Sequence, residues 1–264
     1  MLSRGCSRGS SDFGGNGRMG LGAGGARGAL CCVIGPFEVR CGGVPVALPL
    51  GAQRVLALLA FAERPLLRRY VGELLWPETT GDRAAGNLRS ALWRLRQPGV
   101  ELIQCAGPQL GLAAGIEVDL HRVRGQINRV LDHGTELEEA DKDVQPLTAD
   151  ILTGWYDDWV LLERERHLQR RLHALEALSQ RLIAIGRLPA AVDAAHAAVV
   201  GEPLRETAHV ALVRAYLAEG NRWAAMRQYQ AYRDLLRESL GIEPSDALSA
   251  LVAGLVPGPA PARH

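Results

Sequence analysis

Two glycines 34 residues apart, Gly186 and Gly220, each have an alanine five residues on, Ala191 and Ala225. This repeat most constrains the fold. A glycine lets a helix turn over, a small alanine lets two helices touch, and a proline before the next unit stops the run. Ala198 and Pro203 complete the first unit. The second has Tyr232 in place of the later alanine and runs on through Leu240-Gly241-Ile242-Glu243-Pro244. Everything from Val160 to Gly254 therefore reads as paired helices. Two such units are fewer than the three or so that stack stably alone. Helices around Leu161–Leu175 and Ala247–Leu255 are expected to cap them. Helix pairs of this kind form a concave protein-binding surface, and a purely structural helical platform fits the pattern too.

The first half has a different texture. Residues 1–28 are Gly, Ser and Arg with almost nothing to bury, so they are expected to be a disordered arm. Ala29–Arg40 reads as a strand broken at Gly35-Pro36, and Gly42-Gly43 turns the chain into a second strand, Val44–Leu48. Gln53–Ala62 is a strongly apolar helix. Arg69–Trp76 is a shorter one closed by Pro77, with Leu74, Leu75 and Trp76 as core. After a third helix and Pro98-Gly99, Val100–Gln104 and Gln109–Ala113 alternate around Gly107-Pro108 as a β-hairpin. Small sheet, three helices, hairpin is the order of a winged helix-turn-helix, whose third helix enters the DNA major groove.

That third helix spans Asp82–Gln97. Ala85, Leu88, Ala91, Leu92 and Leu95 share one face at helical period, and Asp82 is placed to cap it. Arg83, Asn87, Ser90 and Arg94 fall on the other side, with Arg89 and Arg96 at its flanks. Guanidinium groups pair with phosphates or guanine edges and Asn with adenine, so these six residues are the DNA-contact candidates. Arg68 and Arg69 open the preceding helix, where free backbone amides also favour phosphate. Trp93 is expected to pack under the hairpin or against the second domain.

Between the halves, Val118-Asp119-Leu120 reads as a link, His121–Leu131 as a helix, and acidic Asp132–Asp150 as a solvated helix end and loop. Trp155, Tyr156 and Trp159 read as core or as an inter-domain contact. Asp157 and Asp158 read as acids at the start of a long helix rather than as metal ligands. The 264 residues carry a net charge of only +1, so a nucleic-acid partner has to be argued from a local basic patch. The five cysteines, at 6, 31, 32, 41 and 105, lack zinc spacing and read as reduced, several of them core fillers. His167, His173, His196 and His209 read as surface or packing residues. Phosphate-loop, nucleophile-elbow and zinc-protease motifs are missing, so neither catalysis, cofactor nor metal is expected. No apolar run is long enough to span a bilayer, and no start resembles a signal peptide.

Three stretches are the most specific: Asn87–Arg96 (N-L-R-S-A-L-W-R-L-R), Gly154–Arg166 (G-W-Y-D-D-W-V-L-L-E-R-E-R) and Leu240–Ser245 (L-G-I-E-P-S). Together with the V-D-L between the halves, they resemble the Streptomyces antibiotic regulatory protein (SARP) family. That family joins an OmpR-like DNA-binding domain to a bacterial transcriptional activation domain, and the resemblance covers roughly residues 30–256. The expected fold is mainly α: a winged helix-turn-helix domain at 29–120, an all-α TPR-like domain at 121–256, and a disordered tail at 257–264. The resemblance implies a cytoplasmic, nucleoid-associated transcriptional activator. It would bind repeated sites in double-stranded promoter DNA, with a second protomer alongside, and recruit RNA polymerase holoenzyme. A TPR-like protein-interaction adaptor, whose winged helix does not bind DNA specifically, is the alternative.

Overall fold

The computed structural model describes residues 28–96 and 100–255. The expectations for residues 1–27, for the Pro98-Gly99 turn and for the tail at 257–264 lie outside the described residues. β1 (Ala29–Cys32) and β2 (Glu38–Cys41) pair antiparallel, Ala29 opposite Cys41, with Gly35 at positive φ in the turn between them. β3 (Val44–Pro45) extends β2 for only two residues, shorter than the expected strand to Leu48. Past Pro45 the pairing still carries the bond from Val46 N to Val39 O at 2.8 Å.

Three helices follow: α1 (Leu50–Phe61), α2 (Arg68–Leu75) and α3 (Gly81–Arg94). α1 is the core helix, buried from Val55 to Phe61 without a break. Leu75 is fully buried, and Leu74 and Trp76 pack partly buried against the same core. Two very short strands escaped the sequence reading. β4 (Leu66–Leu67) joins the hairpin of β5 (Ile103–Ala106) and β6 (Gln109–Leu112), in the order β4-β6-β5. β7 (Ile116–Val118) runs parallel to β1 and closes the first sheet, in the order β3-β2-β1-β7.

The link expected at Val118–Leu120 is a structural joint. α4 runs Asp119–Leu131, and the Asp119 carboxylate accepts bonds from the backbone N–H of Val33 (2.9 Å) and Ile34 (3.1 Å). One side chain thus ties the end of β1 to the start of α4. The acidic stretch after α4 also departs from a solvated loop. It forms two 3-10 turns, Glu139–Lys142 and Gln145–Leu147, and both Asp141 and Leu147 are fully buried. Asp141 is held by Arg129, whose Nε and Nη2 donate to its carboxylate at 2.9 and 2.7 Å.

α5 (Asp158–Ala184), α6 (Leu188–Gly201), α7 (Glu206–Ala218), α8 (Arg222–Leu240) and α9 (Asp246–Ala253) form the helical half. The 34-residue repeat appears in the geometry of its turns. Gly186 and Gly220 both sit at positive φ, +74° and +76°. Gly186 N donates to Ile183 O and Arg187 N to Leu182 O; Gly220 N to Leu217 O and Asn221 N to Tyr216 O repeat the pattern one unit later. Ala191, Ala198 and Ala225 are fully buried. Tyr232, at the odd position, stacks on His209 with ring centroids 3.9 Å apart, and its hydroxyl donates to Leu204 O. The segment expected as a separate cap, Leu161–Leu175, is instead the first helix of the first hairpin, and α4 packs on its outside. α9 packs on α7 and α8 at the other end.

The two halves meet in one buried cluster, and the helical repeats keep further clusters of their own. Ile151, Leu152, Trp159 and Val160 are buried in the same cluster as Val33, Leu56 and Leu120. Trp159 meets Phe61 edge to face at 6.0 Å, and Trp155 meets Phe37 at 5.6 Å. Tyr156 departs from its expected role, at 80% exposed. Asp157 stands at the N-cap position of α5 without a side-chain capping bond and pairs with Arg54 of α1, and Arg164 donates to Leu152 O at 2.8 Å and pairs with Asp150 at 3.1 Å. Leu152 sits at φ +44°, a conformation that costs a non-glycine residue about 1–3 kcal/mol and persists only where surroundings over-determine it. Its N–H to Val33 O bond (2.8 Å) and buried side chain are those surroundings.

His167, on α5, is a packing histidine, only 6% exposed. Burial first, then the guanidinium groups of Arg171 and Arg124, lower its pKa from an ordinary 6.5 to about 4; Asp150 opposes them and Arg170 adds to them. The unfolded chain therefore takes up this proton near pH 6.5 while the folded chain refuses it until about pH 4. Stability should be level above pH 6.5 and fall as pH drops toward 4, by about 3 kcal/mol for the full shift. Urea unfolding of wild-type and His167→Leu chains at pH 7.5, 5.5 and 4.5 checks this; an equally steep decline in the variant would remove His167 as its cause.

Candidate nucleic-acid interface

α2 and α3 cross with Gly72 against Ala84, which sets the helix-turn-helix angle. The hairpin packs against this pair through Leu110, and Arg68 N at the start of α2 donates to Pro108 O in the hairpin turn (2.8 Å). Neither β4 nor this bond has a local sequence signal, yet together they fix where the wing stands.

On α3 the buried residues are Ala84, Leu88, Ala91 and Leu95, while Ala85 and Leu92 are only half-buried. The buried line is thus rotated toward Ala84 from the expected one. Asp82 does not cap the helix; Thr80 occupies that position without a side-chain bond, and Asp82 is an exposed first-turn acid. With the core line fixed, the helical period places Asp82, Gly86 and Trp93 outermost. Arg89 and Arg96 turn toward the hairpin, and Arg83, Asn87 and Arg94 lie on the flank away from it. Ser90 lies between the outer line and that far flank.

The eight candidates do not form one cluster. Arg68, Arg89 and Arg96 are brought together around a cleft of about 720 Å³ between α3 and β5, with Trp93, Gln104 and Cys105 also in its wall. Arg83, Asn87 and Arg94 are exposed on the opposite flank, with the Arg94 guanidinium 5.0 Å from the Trp93 ring centroid. The Ser90 hydroxyl donates to Gly86 O (3.1 Å), a bond within the helix. Arg69 is exposed and its Nε pairs with Glu73 Oε1 at 2.7 Å. Trp93 neither packs under the hairpin nor reaches the helical half; it is 62% exposed. Its significance was hidden because a phase error of one residue moves it from the outer line to a flank.

Six arginines, Arg68, Arg69, Arg83, Arg89, Arg94 and Arg96, stand on α2, α3 and the turn of chain just after it, with Glu73, Asp82 and Glu101 among them. That is the local basic patch that a net charge of +1 leaves room for. Among the described residues no group of three or more His, Cys, Asp and Glu could hold a metal ion, and no helix is long and apolar enough to cross a membrane. The four described cysteines are unpaired. Cys31 is fully buried on β1, where desolvation, with Asp119 adding to it, pushes its thiol pKa up and keeps it a neutral filler.

The fold and this face define a winged helix-turn-helix built onto a helical-repeat domain. Residues 132–255 match the family model described as the bacterial transcriptional activator domain. No curated protein sequence matches the chain. Among solved structures, Mycobacterium tuberculosis EmbR, determined in complex with a low affinity phosphopeptide, superposes with a TM-score of 0.64 at 23% identity. The match covers 86% of this chain and 64% of that one, so the two share their fold over both halves. Over residues 132–255 the chain matches the bacterial transcriptional activator domain family, and a winged helix-turn-helix stands in front of that match.

Proposed function

We propose that this chain is a sequence-specific DNA-binding transcription activator that binds repeated promoter sites and recruits RNA polymerase holoenzyme. The observation that carries this reading is the basic, outward face of α3 and its hairpin cleft, joined through one buried cluster to a bacterial transcriptional activator domain. In it α3 lies in the major groove. Arg83, Asn87 and Arg94 serve the groove on one flank, Ser90 lies beside the base edges, and Arg89, Arg96 and Arg68 bind phosphates on the hairpin side. Arg69, shared with Glu73, is a secondary phosphate contact. A second protomer on the adjacent repeat fits the expected tandem sites. The action is proposed for the bacterial cytoplasm, at the nucleoid.

Titration of the full chain against DNA from its own gene neighbourhood, by gel shift at several salt concentrations, tests this. The double variant Arg89→Ala/Arg96→Ala should weaken binding evenly across sequences and flatten the log–log salt slope by about two units, near 0.9 per lost phosphate contact. Arg94→Ala should weaken the specific site alone, by about 1–3 kcal/mol if it reads a base. Salt-independent or absent binding would return the chain to the adaptor reading.

A further inference from the structure

Trp93 supports an inference that rests on the DNA-reading proposal and goes beyond it. A tryptophan is among the largest apolar side chains and gains most from burial, yet this one is 62% exposed. It stands on α3 opposite the buried line of Leu88, Ala91 and Leu95, in the last turn of the helix. The Arg94 guanidinium lies 5.0 Å from its ring centroid, a cation–π contact that restrains the ring on the surface.

Position decides what such a ring can meet. When a helix lies in a major groove, residues on its flanks face the walls, which are phosphate and sugar. Residues on its outermost line face the floor, which is base edges. The flanks here carry charge: Arg89 and Arg96 on the hairpin side, Arg83 and Arg94 on the other. The outermost line ends in an indole, which has one donor and no acceptor. The apolar group that the floor offers is the C5-methyl of thymine. We propose that Trp93 reads thymine in the operator through that methyl group.

The test uses the full chain and a promoter duplex located by footprinting, with a second duplex in which every thymine of the footprint is replaced by deoxyuridine. That exchange removes the methyl and leaves base pairing intact. Wild-type protein should bind the deoxyuridine duplex about fourfold more weakly for one methyl contacted, the ratio expected for one buried methyl group. Trp93→Ala should bind the thymine duplex more weakly than wild type and show no difference between the two. Its melting temperature should match wild type, because the side chain is exposed, and Trp93→Phe should keep part of the preference. Equal binding of both duplexes by wild type, or an undiminished preference in Trp93→Ala, overturns the assignment while DNA reading stands. Absence of site-specific binding by wild type overturns DNA reading and this assignment together.

Discussion

Trp159→Ala should destabilise the chain by about 3–5 kcal/mol, the range for deleting a large aromatic from a close-packed core. The side chain is 8% exposed, meets Phe61 of α1 edge to face, and belongs to the cluster holding Ile151, Leu152 and Val160. The cavity would open between the two halves. Little could move in to fill it, because Arg54–Asp157 and the bonds of Arg164 hold the neighbouring backbone in place. Urea unfolding followed by circular dichroism would show the midpoint falling. A loss below about 1 kcal/mol, the level of an ordinary substitution, would mean that the seam is held by something other than this ring.

The second large effect is expected from Asp141→Asn, at about 3 kcal/mol. Removing one partner of a buried pair typically costs about 3–5 kcal/mol, and the Arg129 side chain, 39% exposed, recovers some solvation, which argues for the lower end. The bonds from Arg129 hold the Asp141 carboxyl below its ordinary 3.8 and outweigh its desolvation; the Glu138 N–H adds to them. A depressed carboxylate stabilises fully above the unfolded value and is lost as pH falls through the folded one. The asparagine variant should therefore be weaker at pH 7 and have a shallower acid limb below pH 4. An unchanged acid limb would place the acid sensitivity elsewhere.

Much of the fold was legible because its signals are local. Gly186 and Gly220 name their own turns, Pro77 closes α2, and Gly107-Pro108 names the hairpin. What escaped was non-local. β4 and β7 are two and three residues long, and their only mark is the partner they find, Leu110 for Leu66 and Ala29 for Ile116. Asp141 sits in a run of acids that reads as solvated until Arg129, twelve residues earlier, is seen to reach it. The interface was legible as residue types and less so as a surface. Ala84 and Ala85 are adjacent and identical, so the apolar pattern fits two phases of one helix, and only packing against α1 and α2 selects one. Choosing the other turns Trp93 from the outer line to a flank and hides the cleft that gathers Arg68, Arg89 and Arg96.

The buried cluster in which both halves meet also gives the molecule a sense of direction. Asp119 ends β1 and begins α4 with one carboxylate, and Leu152 is locked in a strained turn beside it. The joint therefore has no free swivel. If α3 enters a groove, the compass bearing of the repeat hairpins around the double helix follows from which side it enters. Half a helical turn of spacing between one site and the next would then point neighbouring copies to opposite sides, and a whole turn would align them.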